Sequence, residues 1–129
     1  MANPNIVNVT SIYGGNAAWA LTTTVTTTLL TVAADVIVKI NSIIATNTHA
    51  TTATALTLDI NGIGTTVTGV TGTSLATTAA LASTIDVPSD DIFVVIDRPI
   101  YLMEGDVLRG GSTGTSCDLF ISFEVINDA

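Results

Sequence analysis

Apolar and polar residues alternate with a period of two along most of this chain, and Gly, Pro and Asn break the alternation at short intervals. NIVNVTSIYGG sets Ile6, Asn8, Thr10 and Ile12 on one side and Val7, Val9, Ser11 and Tyr13 on the other, and the pattern predicts a stop at Gly14-Gly15. AAWALTTT follows as a separate strand with Trp19 and Leu21 on a shared face. ADVIVKINSIIATNT alternates Val36, Val38, Ile40 and Ser42 against Ile37, Lys39, Asn41 and Ile43. In TALTLDINGIG, Leu56, Leu58 and Ile60 oppose Thr57 and Asp59, and Asn61-Gly62 is a strong hairpin signal. Residues 61 to 83 are rich in Gly, Thr and Ala and read as either a long loop or, in preference, one more hairpin built from TTVTGV and ending near TGTS, and ATTAALAS is compatible with a short helical turn.

The last third is sharper. LASTIDVP, DIFVVIDRP, IYLMEGDVLRGG and CDLFISFEVI are successive strands punctuated by Pro88, Pro99 and Gly110-Gly111. In RPIYLMEGDVLRGG, Ile100 and Leu102 point one way and Tyr101 and Met103 the other, and Glu104-Gly105-Asp106 turns the chain back into a hairpin. Gly105 suits a turn position that needs positive φ. Short strands at near-regular spacing without βαβ alternation predict an all-β fold, a single antiparallel β-sandwich of jelly-roll or immunoglobulin-like type. The domain is expected over residues 7–129, behind a flexible N-terminal arm at 1–6. Trp19, Leu21, Val38, Ile40, Leu58, Val94, Leu108 and Phe120 are the expected inter-sheet core.

Composition narrows what such a sandwich does. Only 11% of the 129 residues are charged and the net charge is −8. Thr makes up roughly a fifth of the chain, so hydroxyls take over solvation that charged residues commonly provide. Lys39, Arg98 and Arg109 are the three cations, too few to neutralise a phosphate backbone or an anionic membrane surface. No nucleic-acid or membrane partner is therefore expected. Residues 6 to 34 carry no charge, yet their Asn, Gly and Thr content reads as turns and strands, not as a spanning helix. The start, MANPNIVNVT, lacks the cationic and continuous apolar regions of a secretory signal, and the single Cys117 fits a chain made in a reducing cytoplasm. Nine of the eleven acids lie after residue 85.

Reactive chemistry finds little support. His49, the one histidine, sits in the polar segment THATTAT and reads as an exposed loop residue. Cys117 precedes an apolar strand with no cation nearby to lower its pKa, so a buried thiol is expected. Asp90-Asp91 and Glu104 with Asp106 are turn acids, and VPSDDIF lacks the alternating acids of a calcium loop. GIGTTVTG is not followed by the lysine or helix of a phosphate site. Arg109 reads as half of a surface ion pair with the acidic strands. The sequence thus predicts a protein that is not an enzyme, with no catalytic residues, no cofactor and no metal.

The opening NIVNVTSIYGGNAAWALTTT and the closing VPSDDIFVVIDRPIYLMEGDVLRGGSTGTSCDLFISFEVI resemble small virion proteins of tailed bacteriophages, of the cyanophage and marine-phage type. The resemblance covers about half of the chain and is one of strands and turns. It implies a capsid cement, or decoration, protein on the outside of the capsid lattice, with the major capsid protein or other virion proteins as partners. It also implies a homotrimer, made in the bacterial host cytoplasm and located on the virion surface. A tail, neck or fibre-base component would use the same sandwich, and a receptor- or sugar-binding module is a further alternative. The segment Ala2, Asn3, Pro4, Asn5 and Ile6 is the candidate partner-binding element, because it cannot start a helix and leads into the pairing-ready IVNV.

Overall fold

The computed structural model describes residues 9–22, 27–62 and 78–127. Nine strands carry them: β1 Ser11–Leu21, β2 Thr27–Thr31, β3 Val36–Asn47, β4 Thr54–Asn61, β5 Thr78–Val87, β6 Asp91–Ile96, β7 Ile100–Leu102, β8 Val107–Ser112 and β9 Cys117–Asn127. They form two antiparallel sheets. The first has the order β1-β9-β3-β6, with β7 beside β6 on the same edge of β3, and the second has the order β2-β8-β4-β5.

The pairings are nested. β4 pairs with β5, β3 with β6 and β7, β2 with β8, and β1 with β9. The described strands thus pair as the two arms of one long hairpin, and the extra pairings β3·β9 and β4·β8 show that the arms have been wrapped around each other. That wrapping is the jelly-roll form of the sandwich. The core between the sheets holds Leu21, Val38, Ile40, Ile43, Leu119 and Ile121 from the first sheet and Leu56, Leu58, Ile60, Ala82 and Leu108 from the second. Gly110 on β8 is needed for that contact, since a Cβ there would lie 2.7 Å from Leu58 Cδ2 and 2.9 Å from Leu29 Cδ1.

Several expectations are corrected. Gly14 and Gly15 do not end a strand; β1 runs through them, paired residue for residue with β9. RPIYLMEGDVLRGG is not a hairpin, because β7 pairs with β3 in one sheet while β8 pairs with β2 and β4 in the other. Gly105 does turn the chain at φ 85°, but the turn crosses between layers. It is tied to the link between β2 and β3, where Gly105 N–H donates to Val32 O at 3.0 Å and Asp35 N–H donates to Glu104 Oε2 at 2.7 Å. The segment around Ala80 is extended in β5, held by register to β4, with no helical turn. Asn61 pairs with Thr78, so Asn61-Gly62 is not the centre of a two-residue hairpin, and the hairpin predicted from TTVTGV lies outside the described residues.

Trp19 packs at the rim of the core, while Val94 and Phe120 face outward, 47% and 44% exposed. Two bulges explain part of this. The register of β3 against β9 slips between Ile40 and Ser42, which returns Ile43 to the same inner face as Ile40. The register against β6 slips between Ile43 and Ile44, so Ile43 opposes Ile96 while Ile44 opposes Val94. Alternation therefore changes phase twice within one strand neighbourhood.

The assignment of faces has a direct consequence for stability. Leu119 and Phe120 are neighbours on opposite faces of β9, the first fully buried. Leu119→Ala is expected to cost about 2 to 5 kcal/mol, and Phe120→Ala about 1 kcal/mol or less. Urea denaturation midpoints of the two variants measure the difference.

The inter-layer turn adds a pH dependence. Asp106 is 6% exposed, and its Oδ2 accepts from Met103 N–H at 2.8 Å. Burial raises its carboxyl above the ordinary aspartate range, and the hydrogen bond from Met103 works in the opposite direction. The folded state therefore binds this proton more tightly than the unfolded chain does, so falling pH favours folding through the window above the ordinary aspartate value. Asp106→Asn keeps an acceptor for Met103 and removes the titration. Urea melts across the acid range should show wild type gaining stability relative to Asp106→Asn as the pH drops.

Candidate functional site

His49, the one histidine, helps to hold a loop in place. His49 Nδ1 accepts from the backbone N–H groups of Thr51 at 3.2 Å and Thr52 at 3.1 Å, closing the turn between β3 and β4. The backbone N–H of His49 donates to Asn47 Oδ1 at 3.0 Å. Asn47 is fully buried and its Nδ2 donates to Thr52 O at 2.8 Å and Val87 O at 3.0 Å, which fastens this turn to the end of β5. The imidazole acts here as a turn cap.

Cys117 is fully buried at the start of β9, and burial, helped by the charge of Asp118, raises the thiol pKa. That is the opposite of what a nucleophilic cysteine requires. Asp91 Oδ1 accepts from Ile92 N–H at 2.8 Å, and Asp90 sits in the turn at φ 53°. Among the described residues, no three His, Cys, Asp or Glu side chains come together as a metal site. Arg109 makes a two-pronged contact with Asp59, both N···O distances being 2.8 Å. The expected partner lay among the C-terminal acids; the actual one comes from β4, directly opposite in register. The pair is largely covered, with 27% and 12% of the side chains exposed, so it is a built cross-strand fork.

The outer face of the first sheet carries a transverse apolar row, in register from strand to strand: Ala18 on β1, Phe120 on β9, Ile44 on β3 and Val94 on β6. Ile92 lies two residues along β6 from Val94 and is 57% exposed. The row contains no charge. Farther along the same face, Lys39 and Glu124 stand opposite each other at 4.0 Å, with Tyr101 alongside Lys39 and 53% exposed. Asp118, exposed on β9 two residues from Phe120, borders the row, which is the candidate contact surface of this sheet.

Sequence reasoning missed this stripe by placing Val94 and Phe120 in the core. A signal was present for Phe120, since in CDLFISFEV it shares its alternation phase with Asp118 and Glu124, while Cys117, Leu119, Ile121 and Phe123 share the other. For Val94 there was none, because its phase depends on the bulge. The sequence-derived candidates Ala2, Asn3, Pro4, Asn5 and Ile6 lie outside the described residues.

No protein-family model and no curated protein matches the chain. Among solved structures, a protein of Bacillus endospore appendages, a family of disulfide-linked pili, is similar over 92% of this chain and 88% of its own, with 11% identity and a TM-score of 0.43. The VP2 subviral particle protein of infectious bursal disease virus is similar over 92% of this chain and 37% of its own, with 14% identity and a TM-score of 0.41. At these values the likenesses assign neither activity nor partner to this chain.

Proposed function

We propose that this chain is a non-enzymatic structural protein of a virion, a capsid decoration protein that binds the outside of the capsid lattice and stabilises it. The observation that carries this reading is the uncharged row Ala18, Phe120, Ile44 and Val94 across one outer sheet face. Covering such a row removes apolar area from water and strips few ions of their hydration, so adhesion gains without a large desolvation cost. The resemblance of both ends of the chain to small phage virion proteins supplies the setting. The partner is then the major capsid protein or another virion protein, and copies associate with one another as a homotrimer on the particle. The arm Ala2 to Ile6 adds contact with the neighbour.

Bound copies stabilise an assembled shell by mass action, because they bind the lattice and not its dispersed subunits. Particles lacking the protein should assemble but release their genome at lower temperature than complete ones. Phe120→Asp, which puts a charge in the middle of the row while sparing the core, should bind particles weakly and fail to restore the release temperature. Identical release curves with and without the protein would overturn the decoration role. A copy number of a few dozen or fewer per particle would instead favour the tail, neck or fibre-base reading.

A further inference from the structure

The four outer edges of the two sheets are not alike. β2 is five residues long and bulged between Thr28 and Leu30. β5 is bulged twice against β4, carries Thr84 at φ 47° and includes Asp86. The edge made by β6 and β7 starts at Asp91 and is broken by Asp97-Arg98-Pro99. Each of these is a device that discourages another strand from pairing. β1 has none of them. It is eleven residues long, contains no charge and no proline, pairs with β9 without a register shift, and has no strand on its other side among the described residues.

β1 also carries a projection and a recess on the same side of the sheet. Tyr13 is opposite Val125, which in turn is opposite Val38, so its register places it on the core-facing side, yet it is 62% exposed at the open edge of the sandwich. At the other end of the strand, Trp19 and Leu21 line a pocket of about 170 Å³ together with Leu29 of β2 and Gly110 and Gly111 of β8. The midpoint of Ser11–Leu21 is Asn16. Tyr13 and Trp19 lie three residues to either side of it.

We propose that two copies of this chain pair antiparallel along β1 about a two-fold axis at Asn16, each placing Tyr13 against Trp19 of the other and into the pocket beside it. This register pairs all eleven residues and keeps outer faces with outer faces, since residues of the same phase meet. It is self-complementary as a two-fold contact must be. In a chain of net charge −8 it opposes no like charges, because β1 has none. The nearest acids, Asp118 beside Ala20 and Glu124 beside Gly14, face Ile12 and Ala18 of the second copy across the joint. The contact also continues the sheet, so the apolar outer rows of both copies lie on one surface. It stands independently of the virion role, and it joins copies pairwise whatever other symmetry they adopt.

The test uses the full chain. Asn16 is exposed, so Asn16→Cys leaves the core untouched, and the native Cys117 is buried and does not compete. On the axis, the two Cα atoms of residue 16 are expected about 4.5 to 5.5 Å apart, within disulfide range. Ala18→Cys is the control, since its two copies would sit roughly 14 Å apart, beyond bridging. With oxidised glutathione, Asn16→Cys should form a covalent dimer at least about ten times faster than Ala18→Cys. Wild type should have a dimeric or even-numbered mass by light scattering. Asn16→Lys sets like charges face to face and should halve that mass while the variant still unfolds in one cooperative transition, and Tyr13→Ala should weaken association about tenfold or more. Equal cross-linking of the two cysteine variants, or a wild type that stays monomeric at high concentration, would overturn the proposal.

Discussion

The pairing of β3 with β9 is the interaction on which the rest of this structure depends. The two strands match from Val36 opposite Asn127 to Asn47 opposite Cys117, and they come from the two arms of the nested hairpin. Without this contact the arms would be a flat ribbon of paired strands with no enclosed core. With it, β9 sits between β1 and β3, and its inner residues Cys117, Leu119 and Ile121 lie fully buried against the second sheet. β4·β8 is the matching closure in the other layer. The Asp59 and Arg109 fork lies across that pairing and fixes its register.

The same closure sorts the surface into kinds. Inner positions of the first sheet meet the second sheet, and its outer positions meet nothing among the described residues, which leaves Phe120 and Val94 half exposed. Closure also decides which strands are central and which are edges. β9 and β3 are covered on both sides, whereas β1 has one partner among the described residues. The proposed adhesive role would use both leftovers, the apolar outer face and the β1 edge, which meet at β1. The loops, where reactive groups would be looked for, are spent on internal ties such as His49 to Thr51 and Thr52 and Asn47 to Val87.

Much of the sandwich was legible because period-two alternation is a local property. Leu56, Leu58 and Ile60 read correctly against Thr57 and Asp59, as did Val38 and Ile40. The misreadings have a common cause in non-local geometry. Bulges near Asn41 and Val95 reset the phase of alternation, and nothing in the flanking residues announces them. The turn at Gly105 has the right chemistry for a reversal, but whether the chain returns into the same sheet or crosses to the other depends on which strands wait there. Gly14-Gly15 looks like a stop until β9 supplies a partner for every residue through it. The outer apolar row was hidden for the same reason, since a face becomes outer only after the layers close.

If the closure of the two arms governs the fold, its strands must be the last to open. Amide hydrogen exchange of the native protein measures this strand by strand. The account predicts that the amides of β3 and β9 exchange slowest, at the rate of global unfolding, with the edge strands β2 and β6 exchanging well before them. Exchange through β9 as fast as through β2 or β6, or protection of β4 and β5 outlasting that of β3 and β9, would contradict it.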